Sequence, residues 1–398
     1  MRNGILLVML GFVLLPTAGI VARHRWQNQQ PIVPISEQQT ETETNTSPVS
    51  TPSNTNGNAP TPTTPAVTTP ASTPTPAPTP VTNLPPVSGG NTVKPAAASG
   101  TFTKTIVSGG LTRTYHIHIP TGYDPKKLYP LVFLFHGGNS SGSMIGATTP
   151  SNSSGLRMLT DVGFVQKADA EKFIVVAPEG VDGNWNDGRG VTEPELQGID
   201  DVAFVKTLVT TFQTAYAIDS KRIYATGISN GSMMSQRLAC EQSSIFASIG
   251  AVSGAMPKPI SANCTASVSV VGIQGTNDPF SPIPDSDGTP AMTAKLRVGD
   301  QTMSVADMQS FWAKEIGCSA TPSAVKMPVV VQDGTNVTQY TYPSCNSGRA
   351  VVYYIVEGMG HSWPPNSIAS LVAITGPSSK NINATDVVWN FFKSHPKS

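Results

Sequence analysis

The chain has 398 residues, with 25 Lys and Arg against 25 Asp and Glu, and 13% of its residues are charged. This balance, without a basic cluster anywhere, leaves no electrostatic footprint for nucleic acid and excludes it as a partner. The prolines are concentrated early, so the chain must be divided before a fold is read.

Residues 1–26 carry Arg2 and then the apolar run GILLVMLGFVLLPTAGIV, with Pro16 inside it and Arg23 and Arg25 just beyond. The run is long for the core of an export signal and short for a comfortable membrane span. Two readings stand: a removed signal peptide, or an N-terminal anchor that tethers the protein to a membrane. Both place the remainder outside the cytoplasm. Residues 27–99 change character: they are rich in Thr, Pro, Ser and Ala, lack charge from Asn45 to Val93, and lack aromatics between Trp26 and Phe102. Such a segment buries too little apolar surface to offset its ordering entropy, so a disordered linker is predicted.

Residues 100–398 suit one α/β domain with a large core. TFTKTIV and RTYHIHI alternate with period two, as an antiparallel pair at a sheet edge would. Leu131–Phe135 and Phe173–Ala177 are continuous apolar runs, which fits strands buried on both faces. Asp200–Tyr216 has helical spacing and two acids in its first turn, where the helix dipole favours them. Arg222–Ala225 reads as a short strand and Ser232–Cys240 as a helix. Further strands are predicted at Ala247–Val252, Ser267–Ile273 and Val351–Val356, with helices at Val305–Ile316 and Thr385–Phe392. Alternation of this kind predicts a mostly parallel central sheet with helices on both faces.

Between the strand and helix flanking it lies Gly227-Ile228-Ser229-Asn230-Gly231, a Gly-x-Ser-x-Gly pattern at a strand–turn–helix junction. The bare pattern is a weak signal, because small residues are common at such turns. The junction is what gives it meaning: glycines let a serine occupy a strained turn, and the helix start offers free amides to developing negative charge. A serine hydroxyl still needs a base. Of the six histidines, only His361 and His395 follow Ser229. His395 is near the C-terminus, at the end of a helix. His361 sits in EGMGHSWPP, on a glycine-flanked loop after the strand VVYYIV, at the sheet edge where catalytic loops gather.

The acid should come from a loop between serine and histidine. Asp278 in QGTNDP lies just past the strand end and is preferred. Asp285 and Asp287 are the runners-up, and Asp386 reads as a capping acid of the last helix. An oxyanion site is expected after the early strand LVFLF, where FLFHGGNSSG supplies the amide of Gly138, alongside the amide of Asn230; Asn139 is a second oxyanion candidate and a candidate substrate-binding residue. Losing one such donor costs roughly 2.7–4 kcal/mol in a transition state. His136 precedes the serine and reads as a loop-shaping residue.

At this point the sequence resembles secreted α/β-hydrolase esterases of the poly(3-hydroxybutyrate) depolymerase-like group, with feruloyl and acetylxylan esterases as relatives. The matching stretches are LFHGGNSSG, APEGVDGNWNDG, GIDDVAFVKTLV, RIYATGISNGSMMSQRLAC, QGTNDPFSPI, GMGHSWPP and ATDVVWNFF, and the resemblance covers about Phe102 to Phe392. The resemblance implies an α/β-hydrolase fold, with Ser229 as nucleophile, Asp278 as acid and His361 as base. It also implies that Trp185 and Trp363 lie near the substrate cleft, although each tryptophan taken alone reads equally as core packing. Gln274 departs from the histidine that relatives carry before GT-x-D, and no polymer-binding module is evident.

Cys240, Cys264, Cys318 and Cys345 allow three pairings. Proximity along the chain and the resemblance both favour Cys240 with Cys264 and Cys318 with Cys345, each worth roughly 3–4 kcal/mol on the chain-entropy argument. No Cys-x-x-Cys spacing suggests a metal. The expectation is therefore a carboxylic ester hydrolase without metal or cofactor, a monomeric catalytic domain acting on small or oligomeric esters. A prolyl-oligopeptidase-like peptidase and an inactive stalked surface module are the alternatives.

Overall fold

The computed structural model describes residues 94–138, 154–280, 301–366 and 375–398. The apolar N-terminal run, nearly all of the Thr/Pro-rich stretch, Asn139, Asp285 and Asp287 lie outside the described residues.

The two period-two segments form β1 (Gly100–Ser108) and β2 (Leu111–Ile119), paired antiparallel from Gly100↔Ile119 to Ser108↔Leu111. The apolar runs become β3 (Tyr129–Phe135) and β4 (Ile174–Pro178), whose residues are all buried. After them come β5 (Ile218–Ile228), β6 (Ser248–Val252), β7 (Ser269–Gly275), β8 (Ser323–Lys326), β9 (Asn336–Tyr342) and β10 (Val351–Glu357). They make one ten-stranded sheet in the order β1-β2-β4-β3-β5-β6-β7-β10-β9-β8. The stretch from β4 to β10 is parallel throughout, and antiparallel strands finish both edges. All the central strands therefore deliver their C-terminal ends to one rim, where ligand sites of open α/β sheets form.

The continuous apolar runs reflect a sheet covered on both sides. Leu131, Phe133 and Phe135 of β3 point into one core layer, while Val132 and Leu134 point into the other. The first layer is closed by α4 (Asp201–Ala215), α5 (Asn230–Glu241) and α7 (Val305–Glu315). The second is closed by α1 (Ser154–Asp161), α2 (Phe164–Glu171) and α8 (Ala384–Ser394). This is the α/β-hydrolase arrangement. Two four-residue helices, α3 (Glu193–Leu196) and α6 (Lys258–Ser261), lie in connecting segments.

Several local expectations change. The strand before the serine runs from Ile218, well ahead of Arg222. The cap of α8 is Asn383, whose side chain accepts the Asp386 N–H, while Asp386 itself pairs with Lys167. His395, at the end of the last helix, is half-buried and hydrogen-bonded. Its Nδ1 lies 2.8 Å from the Phe391 carbonyl and its own carbonyl accepts from Ser248 Oγ at 2.7 Å. Both disulfides form between the favoured partners, Cys240–Cys264 and Cys318–Cys345.

Candidate active site

Ser229 is the residue between β5 and α5, and its backbone sits at φ 58°, ψ −122°. A side chain at positive φ costs about 1–3 kcal/mol and persists only where the surroundings enforce it. Here they do. The Ser229 N–H donates to Val252 O at 3.0 Å, and its carbonyl accepts from Met233 N–H at 3.1 Å. The flanking glycines are required by close approach: a Cβ on Gly227 would stand 2.5 Å from Phe135 O, and one on Gly231 would strike the carbonyl oxygens of Phe135 and His136. The Gly-x-Ser-x-Gly pattern is thus the imprint of a turn pressed against the end of β3.

Two strands further along the sheet, β7 ends in the loop that carries Asp278, and its neighbour β10 ends in the loop that carries His361. His361 Nδ1 and Asp278 Oδ2 are 2.8 Å apart, and the carboxylate is buried. Oδ1 of Asp278 accepts the Phe280 N–H at 2.8 Å, while the Phe280 ring stands edge-on to the imidazole at 4.8 Å. The His361 N–H is held by Thr375 O at 2.5 Å. The Asp278 contact orients the ring, because a carboxylate facing Nδ1 selects the tautomer whose Nε2 can accept a proton.

The remaining gap in this row is bridged by the end of β6. Ser253 follows Val252, the partner of the Ser229 amide, and its Oγ donates to Ser362 O at 3.0 Å. The serine turn and the histidine loop are therefore tied through two adjacent buried residues, Val252 and Ser253.

The loop after β3 closes against the same turn. A Cβ on Gly137 would lie 3.4 Å from Ser229 Cβ, and one on Gly138 would lie 3.2 Å from Asn230 Cβ. Asn230 opens α5, where backbone N–H groups have no partner within the helix. Among the described residues no backbone hydrogen bond consumes the amides of Gly138 or Asn230. His136 is buried, and its Nε2 accepts the Gly180 N–H at 3.0 Å, so the proton is on Nδ1, which donates to Gly137 O at 2.8 Å. Burial pushes its pKa down, against the raising pull of Glu179.

The tryptophans take supporting positions. Trp185 is fully buried, packs edge-on to Phe135, and donates Nε1–H to His136 O at 2.9 Å. Trp363 is buried against Phe164 and donates to Thr385 Oγ1 at 3.0 Å. Both occupy the core behind the rim, which favours the packing reading over a cleft wall. Sequence reasoning missed Asp187, Ser253 and Phe280. The first two are joined to the site by contacts over 43 and 109 positions, so their neighbours along the chain do not reveal what they hold, although Asp187 lies within the stretch APEGVDGNWNDG.

Fold and rim together define an α/β-hydrolase whose rim carries a strained serine turn and a histidine–carboxylate pair. Residues 114–310 match the family model described as "Esterase PHB depolymerase". The likeness is to that family over those residues, and the protein is a carboxylic ester hydrolase. A Nocardia uniformis subsp. tsuyamanensis protein assigned as an esterase, NocK, is 27% identical over 302 residues, covering 75% of this chain and 84% of its own. Feruloyl esterase D of Neurospora crassa is 25% identical over 271 residues, covering 67% and 80%. Among solved structures, acetyl xylan esterase from Aspergillus awamori aligns over 74% of this chain and 99% of its own, with a TM-score of 0.49 and 14% identity.

Proposed function

We propose that the protein hydrolyses carboxylic esters through Ser229, His361 and Asp278 by way of an acyl-enzyme. His361 Nε2 takes the Ser229 proton as Oγ attacks the ester carbonyl, and the amides of Gly138 and Asn230 carry the oxyanion. The imidazolium, steadied by Asp278, returns that proton to the departing alkoxide, which leaves as the alcohol. Water then attacks the acyl-serine with the same base, releasing the acid and restoring Ser229. In acylation the proton passes from Oγ through Nε2 to the leaving oxygen, and in deacylation from water through Nε2 back to Oγ, so water is the one co-reactant the cycle consumes.

The observation that carries this reading is the 2.8 Å contact between His361 Nδ1 and the buried Asp278 carboxylate, at the rim where the strained serine turn also ends. The likeness to a feruloyl esterase supports feruloyl esters as substrates, that to a bifunctional acetylxylan esterase/xylanase supports acetyl esters of xylan, and the family description supports hydroxyalkanoate oligomers. Two disulfides and the apolar N-terminal run support action outside the cytoplasm, as a secreted or tethered enzyme. Ser229→Ala assayed on p-nitrophenyl acetate, with fluorophosphonate labelling of the wild type, is the direct test. Undiminished turnover in the variant rejects the nucleophile. A panel of feruloyl, acetyl-xylan and 3-hydroxybutyrate esters then ranks the substrates by kcat/KM.

A further inference from the structure

Asp187 is a fully buried carboxylate that no step of the ester chemistry uses. Its Oδ2 accepts from Asn230 Nδ2 at 2.5 Å, and Arg189 grips both oxygens through Nε at 3.0 and 2.9 Å, with Nη2 at 2.8 Å from Oδ2. Asn230 is the residue directly after the proposed nucleophile, and its whole side chain is spoken for. Oδ1 accepts the Trp185 N–H at 2.7 Å, and Nδ2 also donates to Trp185 O at 3.1 Å. The segment presenting these partners is fixed in turn: Asn186 N–H donates to the buried Asp201 at 2.8 Å, Asn186 Nδ2 to Ile199 O at 2.7 Å, and Arg237 Nη1 to Asn186 O at 2.9 Å.

A buried carboxylate is costly unless paired and hydrogen-bonded, and Arg189 supplies the compensating charge. What the pair gains is a rigid acceptor aimed at one side-chain amide. From this geometry we infer that Asp187, clamped by Arg189, is a positioning residue for the oxyanion site. Its bond to Asn230 Nδ2 fixes the first turn of α5, and with it the direction of the Asn230 backbone N–H. The inference rests on the proposed Ser229 chemistry and adds the element that aims one of its two oxyanion donors. An amide whose direction is preset stabilises charge without reorganising at the moment of attack, so its effect falls on the transition state alone.

The test compares wild type, Asp187→Asn, Asn230→Ala and the double variant on p-nitrophenyl acetate. Alongside it, the affinity of each for a trifluoromethyl ketone that forms a tetrahedral adduct with serine is measured. Asp187→Asn is expected to lower kcat by about tenfold with KM within about twofold, and to weaken the ketone by the same factor. The double variant should be no slower than Asn230→Ala, because both changes reach the same donor. An Asp187→Asn enzyme with unchanged kcat, or one that loses kcat while keeping full ketone affinity, overturns the inference. If Asp187→Asn does not fold, Arg189→Lys decides. It keeps the charge and loses the fork, so kcat should fall at constant KM, and an unaltered kcat counts against the clamp. A wild type whose Ser229 does not label with a fluorophosphonate rejects the ester mechanism itself, an outcome distinct from any of these.

Discussion

Ser253 Oγ donates to Ser362 O at 3.0 Å across a separation of 109 residues, and this buried bond joins the end of β6 to the residue after His361. Ser253 holds a positive φ of 46° to do so. Two opposed effects meet at this position. Ser253→Ala keeps the strained backbone and orphans a buried carbonyl, which costs about 1–3 kcal/mol. Ser253→Gly loses the same bond but relieves the left-handed conformation. The glycine variant should therefore be the more stable of the two by urea denaturation, and both should be slower than wild type because the histidine loop loses its tie. Equal stability of the two variants removes strain from the account.

Asp278→Asn separates charge and tautomer from shape. The Asn carbonyl oxygen can still accept the Phe280 N–H, so the loop should fold as before. The amide NH₂ then faces His361 Nδ1 and forces the proton onto Nε2, where it blocks acceptance from Ser229. By analogy with other Ser-His-Asp enzymes, kcat should fall roughly 10⁴-fold with little change in KM. Stopped-flow acylation with p-nitrophenyl acetate measures it, and a loss below tenfold would show that this carboxylate does not set the tautomer.

The sequence made the parallel centre of the sheet legible because its strands are buried on both faces and read as unbroken apolar runs. The β8–β9 edge was not legible. NVTQYTY is half polar and SAVK is wholly exposed, so neither carries the run or the clean alternation that marks a strand. Helices α1 and α2 escaped notice because each has eight residues and Gly163, at φ 83°, interrupts the segment between them. At the site, Ser229, Asp278 and His361 could be singled out because each lies in the turn or loop that leaves a recognisable strand. Asp187 could not, since its significance lies in an amide 43 positions away. Chain order reveals residues placed by the sheet and conceals those placed by loop-to-loop contact.

Gly231→Ala tests whether the second glycine of the serine motif is there for space. The added methyl would meet main-chain carbonyls of Phe135 and His136, which cannot swing aside as a flexible side chain would. Forcing a methyl into packed backbone costs about 1–3 kcal/mol, and here it also pushes α5 away from β3, taking the Asn230 amide with it. Both stability and kcat should drop, read by denaturant midpoint and by p-nitrophenyl acetate turnover. A fully stable, fully active Gly231→Ala enzyme would falsify the close-approach explanation of the motif.

His136 predicts how the oxyanion loop responds to acid. Its imidazole is buried, and burial lowers its pKa, with His116 adding to the effect. Glu179, the bond to Gly137 and Asp201 oppose it, but the net direction is down. A folded-state pKa below the unfolded value of about 6.5 means the unfolded chain binds the extra proton first. Stability from this group is therefore complete above that value and is lost as pH falls through the folded pKa. Protonating Nε2 would also expel the Gly180 N–H and loosen the loop that carries Gly138. Melting temperature should decline between pH 7 and pH 5 more steeply in the wild type than in His136→Gln, whose amide can donate to Gly137 O and accept from Gly180 without titrating. Parallel pH profiles for the two proteins would assign the acid sensitivity to some other group.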